Sequence, residues 1–125
     1  MNQKILIADD EPHLRMLIHQ ALEDLEDDGV EVLMARDGEE ALEAIQLEMP
    51  DLVFLDVMMP KKSGFDVCHT VKRVLSMASP FIVLLTAKGQ EFDRQKGLDV
   101  GADIYMTKPF DPDALLAKAK KVLRR

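Results

Sequence analysis

The sequence has little of several features, and each shortage excludes a class of protein. A single cysteine, Cys68, among 125 residues cannot form an intramolecular disulfide and is typical of a reducing compartment. No apolar run approaches the ~18 residues that a membrane-spanning helix needs. The apolar stretch before Asp9 is too short for a signal peptide. We therefore expect a cytoplasmic protein without a membrane segment.

Positive charge is also scarce, because 16 Lys and Arg residues face 23 Asp and Glu residues and leave a net charge of −7. An acidic domain lacks the electrostatic footprint of a phosphate-backbone binder, so direct binding to nucleic acid is disfavoured. It also lacks a polybasic segment that would hold it on an anionic membrane. The hydrophobic fraction of 47% is ordinary for a globular protein. We expect residues 1–125 to form one domain.

What the sequence does contain is an alternation of two hydrophobic periods. Short apolar runs typical of buried strands occupy residues 5–8, 30–34, 52–55, 81–85 and 104–106. Helical patterns lie between them, over residues 14–25, after Asp37, over residues 67–75, over residues 90–100 and from Asp111 onward. Such an alternation predicts an α/β fold, a doubly wound parallel sheet of five strands with five helices.

Two helix starts are marked by capping residues. Asp37 is predicted to cap the second helix, with Glu40 as its capping-box partner. Asp111 is predicted to begin the last helix, with Pro112 in its first turn. The helix over residues 90–100 is only weakly amphipathic, so we expect it to be mobile and marginally packed.

In an open parallel sheet, ligands bind beyond the carboxyl ends of the strands. The polar side chains that follow the predicted strands are Asp9, Asp10, Asp56, Thr86 and Lys108. Carboxylates this close repel one another unless a cation offsets their charge, and Mg²⁺ prefers such oxygen ligands. The alternative is that Asp9 and Asp10 only cap the first helix, while Lys108 pairs with Asp56.

The strand ends also carry four recognisable strings. They are ILIADDE at residues 5–11, LDVMMP at 55–60 with SGF at 63–65, LTA at 85–87, and GAD at 101–103 leading to KPF at 108–110. In these strings, and over its whole length, the chain resembles the CheY-like receiver domain of two-component response regulators. The resemblance implies a flavodoxin-like sheet with strand order 2-1-3-4-5.

The resemblance further implies a phosphorylation-activated signalling switch rather than an enzyme that acts on other substrates. Asp56 would accept a phosphoryl group from a histidine kinase or a histidine phosphotransfer protein. Mg²⁺, for which Mn²⁺ could substitute, would be bound by Asp10, by Asp56, by the backbone carbonyl of Met58 and by Asp9 through water. Lys108 would contact the phosphoryl oxygens as a mobile point charge.

Other residues that match the family pattern would take part in the response to phosphorylation. Thr86 and Tyr105 correspond to the switch pair of the family, in which a hydroxyl moves toward the phosphoryl group and an aromatic ring follows. The altered surface, formed by the fourth helix, the fifth strand and the fifth helix, would contact an unknown output protein or domain. The Lys108–Pro109 bond is cis in the family.

The chain departs from the family pattern at a few positions. Ile104 and Ala114 are apolar where DNA-binding members often carry acids that form a dimer, so we expect a monomer or a weak phosphorylation-dependent dimer. Met58 and Lys88 occupy the two positions that influence attack by water on the phosphoryl group. Neither offers a carboxylate or amide to orient that water, so we expect slow self-dephosphorylation.

Rival interpretations share the architecture but fit the residues less well. A nucleotide binder would need a loop rich in Gly, Ser and Thr after the first strand, where this chain has the acidic residues 9–11. A phosphatase with an aspartyl nucleophile would need a second acid at position 58, which is Met58. A receiver fold that serves only as a non-phosphorylated docking scaffold remains as the alternative.

Overall fold

The computed structural model describes residues 2–87, 96 and 99–125, and the described strands form one parallel sheet. The strands are β1 (Lys4–Ala8), β2 (Glu31–Ala35), β3 (Leu52–Asp56), β4 (Phe81–Ala87) and β5 (Ile104–Lys108). They lie in the order β2-β1-β3-β4-β5, and every neighbouring pair is parallel. The doubly wound class and the strand order 2-1-3-4-5 are confirmed.

The helices of the described residues are α1 (Pro12–Ala21), α2 (Glu23–Asp27), α3 (Gly38–Glu48), α4 (Gly64–His69) and α5 (Pro112–Leu123), and a π-helical turn (Thr70–Val74) continues α4. The single first helix predicted over residues 14–25 is wrong, because the backbone leaves helical geometry at Leu22 with φ −96° and ψ 6°. Most of the helix predicted over residues 90–100 lies outside the described residues. Within that range, the described residues Lys96 and Asp99 are helical.

The helix caps agree with the sequence except in one contact. The side chain of Asp37 accepts the N–H of Glu40 at 2.8 Å, as predicted. The Glu40 carboxylate accepts the backbone N–H of Arg36 at 3.1 Å instead of that of Asp37, so the predicted capping box is wrong in its second half. A complete capping box occurs at α4 instead, between Ser63 and Asp66. The Asp111 carboxylate caps α5 as expected.

Strand residues alternate between two hydrophobic cores, one on each face of the sheet. One core, the α3/α4 face, joins Leu6, Ala8, Val53, Leu55, Ile82 and Leu84 to α3 and α4. The other, the α1/α5 face, joins Ile5, Ile7, Leu52, Phe54, Val83 and Leu85 to α1, α2 and α5. Burial on both faces explains the continuous apolar runs. Among the described residues, no helix is long and apolar enough to cross a membrane.

The strand register brings the polar strand ends to one edge of the sheet. Ala8 is paired with Leu55, so the next residues along, Asp9 and Asp56, lie side by side. On the other side of β3, Asp56 is paired with Leu85, the neighbour of Thr86. Ala87 at the end of β4 is paired with Lys108 at the end of β5. The parallel sheet therefore gathers polar groups from four strands.

Candidate functional site

Three carboxylates converge at the carboxyl edge of the sheet. Asp9, Asp10 and Asp56 each offer an oxygen atom, and these atoms all lie within 4.8 Å of one another. Asp9 is fully buried and Asp56 is only 4% exposed, whereas Asp10 faces solvent. Oxygen donors of this kind, with one of them open to solvent, fit a hard divalent cation such as Mg²⁺.

Lys108 forms ion pairs with two carboxylates of this cluster. Its Nζ lies 3.1 Å from Oδ1 of Asp56 and 3.2 Å from Oδ2 of Asp9. The ion pair between Lys108 and Asp56 in the alternative interpretation is therefore present, but helix capping by the aspartates is not. The N-cap residue of α1 is Glu11, and no side chain caps that helix.

Two X–Pro peptide bonds are cis in the described residues, Lys108–Pro109 and Ser79–Pro80. The first follows the site lysine directly. The second was not predicted from the sequence, and it precedes β4 at the opposite edge of the sheet.

The electrostatics of the site show that the buried acids are not fully compensated. Burial and, next in size, the charge of Asp9 raise the pKa of Asp56 from 3.8 to about 6, although Lys108 opposes the rise. Burial alone would lower the pKa of Lys108, but the carboxylates of Asp56 and Asp9 outweigh it, so that pKa is raised. Lys108 is therefore a cation at neutral pH, and a further cation would favour ionised Asp56.

The backbone around Asp56 is closely packed against the start of α4. The N–H of Met58 donates to Oδ1 of Asp56 at 3.4 Å, which places the main chain of Met58 beside the carboxylate. The N–H of Gly64 donates to the carbonyl oxygen of Val57 at 2.9 Å. A Cβ atom at Gly64 would overlap the carbonyl group of Asp56, so only glycine fits there without displacement.

Thr86 and Tyr105 belong to the same face of the sheet. Thr86 is 2% exposed near the end of β4. Tyr105 is half-buried on β5, pairs with Leu84 and packs against the α3/α4 core. Because Thr86 is two residues beyond Leu84, strand alternation places it diagonally next to Tyr105, within reach of an aromatic ring. Lys88 lies outside the described residues.

Two polar residues have positions that the sequence did not reveal. Arg15 on α1 donates from Nη1 to the main-chain oxygen of Asp9 at 2.7 Å. Its only sequence signal is that it is the single Lys or Arg in α1, one turn beyond the acidic loop. Asp103, from the GAD string, lies at the other end of the sheet, where it accepts the N–H of Ile82 at 2.7 Å and lies 3.4 Å from Lys72.

Comparison with known proteins agrees with this geometry. Residues 5–120 match the family model described as the response regulator receiver domain. The alkaline phosphatase synthesis transcriptional regulatory protein PhoP of Bacillus subtilis is 47% identical over 125 residues, which are 100% of this chain and 50% of PhoP. CpxR of Klebsiella pneumoniae is 45% identical over 122 residues, 98% of this chain and 50% of CpxR. The chain spans about half the length of the curated relatives it matches.

Solved structures of response regulators also superpose closely on this chain. The chemotaxis response regulator CheY4 of Vibrio cholerae superposes with a TM-score of 0.83 at 33% identity, covering 98% of this chain and 99% of CheY4. The BeF3-activated receiver domain of DrrB superposes with a TM-score of 0.86 at 34% identity, covering 100% of both chains. By sequence, fold and the arrangement of its strand-end residues, this chain belongs to the receiver domain family of two-component response regulators.

Proposed function

We propose that this receiver domain is a phosphorylation-activated switch in which Asp56 accepts a phosphoryl group in a Mg²⁺-dependent reaction. The donor would be a histidine kinase or a histidine phosphotransfer protein. The observation that carries the proposal is the convergence of three carboxylates within 4.8 Å, with Lys108 3.1 Å from Asp56. The chemistry would be limited to the domain's own phosphotransfer and slow self-dephosphorylation.

The residues of the site divide between metal binding and phosphoryl contact. Asp10, Asp56 and the backbone carbonyl of Met58 would bind the metal directly, and Asp9 would bind it through water. When bound, Mg²⁺ or Mn²⁺ would neutralise charge between the carboxylates and the incoming phosphoryl group. The solvent-facing Asp10 leaves this edge open to a partner, which supports the proposal.

In the transfer step, an oxygen of the Asp56 carboxylate attacks phosphorus as the bond from phosphorus to the partner's imidazole nitrogen breaks. The imidazole leaves with the electron pair of that bond, and an aspartyl phosphate forms. A carboxylate is a modest nucleophile, so positioning and charge neutralisation provide most of the rate. Lys108, which lies 3.1 Å from Asp56, would pair with a phosphoryl oxygen.

The switch would act through Thr86 and Tyr105. The Thr86 hydroxyl would turn toward the new phosphoryl group, and the Tyr105 ring would follow into the space on the same face of the sheet. Phosphorylation adds charge and strong hydrogen-bond acceptors, and it shifts a population as far as it favours one state. The similar DrrB receiver domain was solved in a BeF3-activated form, which supports a two-state receiver.

Several wider properties belong to the same proposal. Residues 1–125 would form one cytoplasmic receiver unit, as a monomer or a weak phosphorylation-dependent dimer. The surface formed by β5, α5 and the helix predicted over residues 90–100 would contact an output protein or domain. PhoP and CpxR are named as transcriptional regulatory proteins, so any DNA binding linked to this chain would come from such an output domain and not from the acidic receiver itself.

The proposal is tested by intact mass after incubation with acetyl phosphate, with Mg²⁺ or with a chelator. We expect a Mg²⁺-dependent gain of one phosphoryl group that is absent in Asp56→Asn. Asp27→Asn, an exposed aspartate on α2, is the matched control and should be phosphorylated like the unaltered protein. No gain under any condition would contradict the proposal and favour the docking scaffold.

A further inference from the structure

All four polar groups of the buried Asp9 are held by hydrogen bonds. Its N–H donates to the carbonyl oxygen of Ala35 at 3.1 Å, and its Oδ1 accepts the N–H of Glu11 at 2.9 Å. Its Oδ2 accepts from Lys108 at 3.2 Å. Its carbonyl oxygen accepts from Nη1 of Arg15 at 2.7 Å, the shortest of the four. These four hydrogen bonds hold Asp9 in one orientation, and Arg15 makes the one to its carbonyl oxygen.

The Arg15 contact also determines the position of the next residue. The Asp9 carbonyl belongs to the planar peptide group that leads into Asp10, so fixing that oxygen fixes the start of Asp10. Among the described residues, no hydrogen bond holds the exposed Asp10 carboxylate. The placement of this carboxylate therefore depends on its backbone.

Arg15 is itself well anchored. Its N–H donates to the carbonyl oxygen of Glu11 at 3.1 Å in the first turn of α1, and its side chain is half-buried. A guanidinium donates along fixed directions, and a hydrogen bond from a charged donor is roughly twice as strong as a neutral one. Helix α1 thus offers a rigid base from which Arg15 can orient the acidic loop.

We propose that Arg15 is a positioning residue of the metal site, which holds the Asp9–Asp10 peptide group so that the Asp10 carboxylate faces the cation. This inference rests on the proposed function, because it assumes that the carboxylate cluster binds Mg²⁺. It assigns Arg15 no contact with the metal or the phosphoryl group.

Whether replacing Arg15 weakens or strengthens Mg²⁺ binding distinguishes a positioning role from an effect of its charge alone. Removing a positive charge near three carboxylates would by itself strengthen the binding of a cation. Removing a residue that orients a ligand weakens metal binding, typically by 10-fold to 100-fold. Arg15→Met should therefore weaken Mg²⁺ binding about tenfold, against the direction expected from charge alone.

The experiment is calorimetric titration of Mg²⁺ at constant ionic strength into the unaltered chain, Arg15→Met, Arg15→Lys and Arg36→Met. Arg15→Lys keeps the charge and one donor, so we expect a smaller loss than with methionine. Arg36→Met removes the same charge from a side chain that is 75% exposed and paired with Glu40, and its affinity should change by less than about twofold. Unchanged or tighter Mg²⁺ binding by Arg15→Met would overturn the inference.

Thermal unfolding with Mg²⁺ and with chelator excludes a purely structural effect. A ligand that binds only the folded state raises the melting temperature, so weaker binding gives a smaller rise. Arg15→Met should therefore show a smaller Mg²⁺-induced increase than the unaltered chain, and an equal increase would overturn the inference. If Arg15→Met does not fold, the test uses Arg15→Lys instead. Unchanged Mg²⁺ affinity or an unchanged Mg²⁺-induced rise in melting temperature in that variant would overturn the inference. If the unaltered chain binds no Mg²⁺, the proposed function fails together with the inference.

Discussion

Asp56 is a carboxyl group whose surroundings make ionisation less favourable than it is in water. It is 4% exposed, it lies beside the buried Asp9, and one ammonium group serves both carboxylates. Burial, followed by the charge of Asp9, raises its pKa to about 6. Without a bound metal, the negative charge of Asp56 is only partly balanced by Lys108. A bound divalent cation would reduce the repulsion between the carboxylates of Asp56 and Asp9. Proposed metal binding and proposed phosphoryl acceptance have the same electrostatic origin.

The raised pKa gives a stability prediction with a defined sign. Folded Asp56 holds its proton to about pH 6, whereas the unfolded group releases it near 3.8, so the unaltered protein loses stability as pH rises through this window. Asp56→Asn cannot ionise and escapes that loss. Between about pH 4 and about pH 7.5 in chelator, the variant should gain about 2 kcal/mol relative to the unaltered chain, measured by urea unfolding. A difference independent of pH would contradict the assignment.

Cys68 should be chemically inert in the folded protein. It is fully buried in the α3/α4 core, its Sγ lies 3.6 Å from the carbonyl oxygen of Val100, and burial raises its pKa to about 11. Only the exposed thiolate reacts with alkylating reagents. Iodoacetamide should modify the native chain at least about 100 times more slowly than the chain in guanidinium, followed by intact mass. Comparable rates would mean that this core opens readily.

At the scale of elements, the start of α4 is packed against the end of β3 through Gly64. A Cβ there would overlap the Asp56 carbonyl, so Gly64→Ala must move either the helix or Asp56. We expect a loss of about 1 to 3 kcal/mol of stability and at least a tenfold slower phosphorylation by acetyl phosphate.

The matched control for that substitution is Gly29→Ala. Gly29 has a φ of +97°, and a Cβ there meets nothing within 4 Å, so alanine costs about 1 to 3 kcal/mol through backbone strain alone. Gly29 lies between α2 and β2, away from the carboxylates. Both variants should lose stability, but only Gly64→Ala should lose phosphorylation rate. Equal rates in the two variants would show that the α4 contact does not position Asp56.

Element boundaries show where the sequence was informative and where it was not. The apolar runs located all five strands, but β4 and β5 extend further because Thr86 and Ala87 pair with Thr107 and Lys108. Such pairing depends on the neighbouring strand and not on the local pattern. The break at Leu22 was missed for the same reason, because the apolar stripe continues through a residue whose backbone leaves the helix.

At the scale of the whole molecule, the carboxylate site was predictable because each member follows or ends a strand and parallel strands end at one edge. Asp9, Asp10, Asp56 and Lys108 met there as expected. The Arg15 contact was not predictable, since it depends on how closely the first turn of α1 approaches the end of β1. That distance is determined by packing on the α1/α5 face, and no local sequence pattern reports it.

The two cores share one sheet, and this arrangement predicts cooperative unfolding. Leu6 and Ile7 are neighbours in β1 but belong to opposite cores, and β3 and β4 alternate in the same way. Neither core can lose its strands without exposing the other, so residues 1–125 should unfold in a single transition. Scanning calorimetry should give equal calorimetric and van't Hoff enthalpies, with a heat-capacity change of about 1.5 to 1.9 kcal/mol/K. Two resolved transitions would show that the faces unfold separately, and the single-domain assignment would then be wrong.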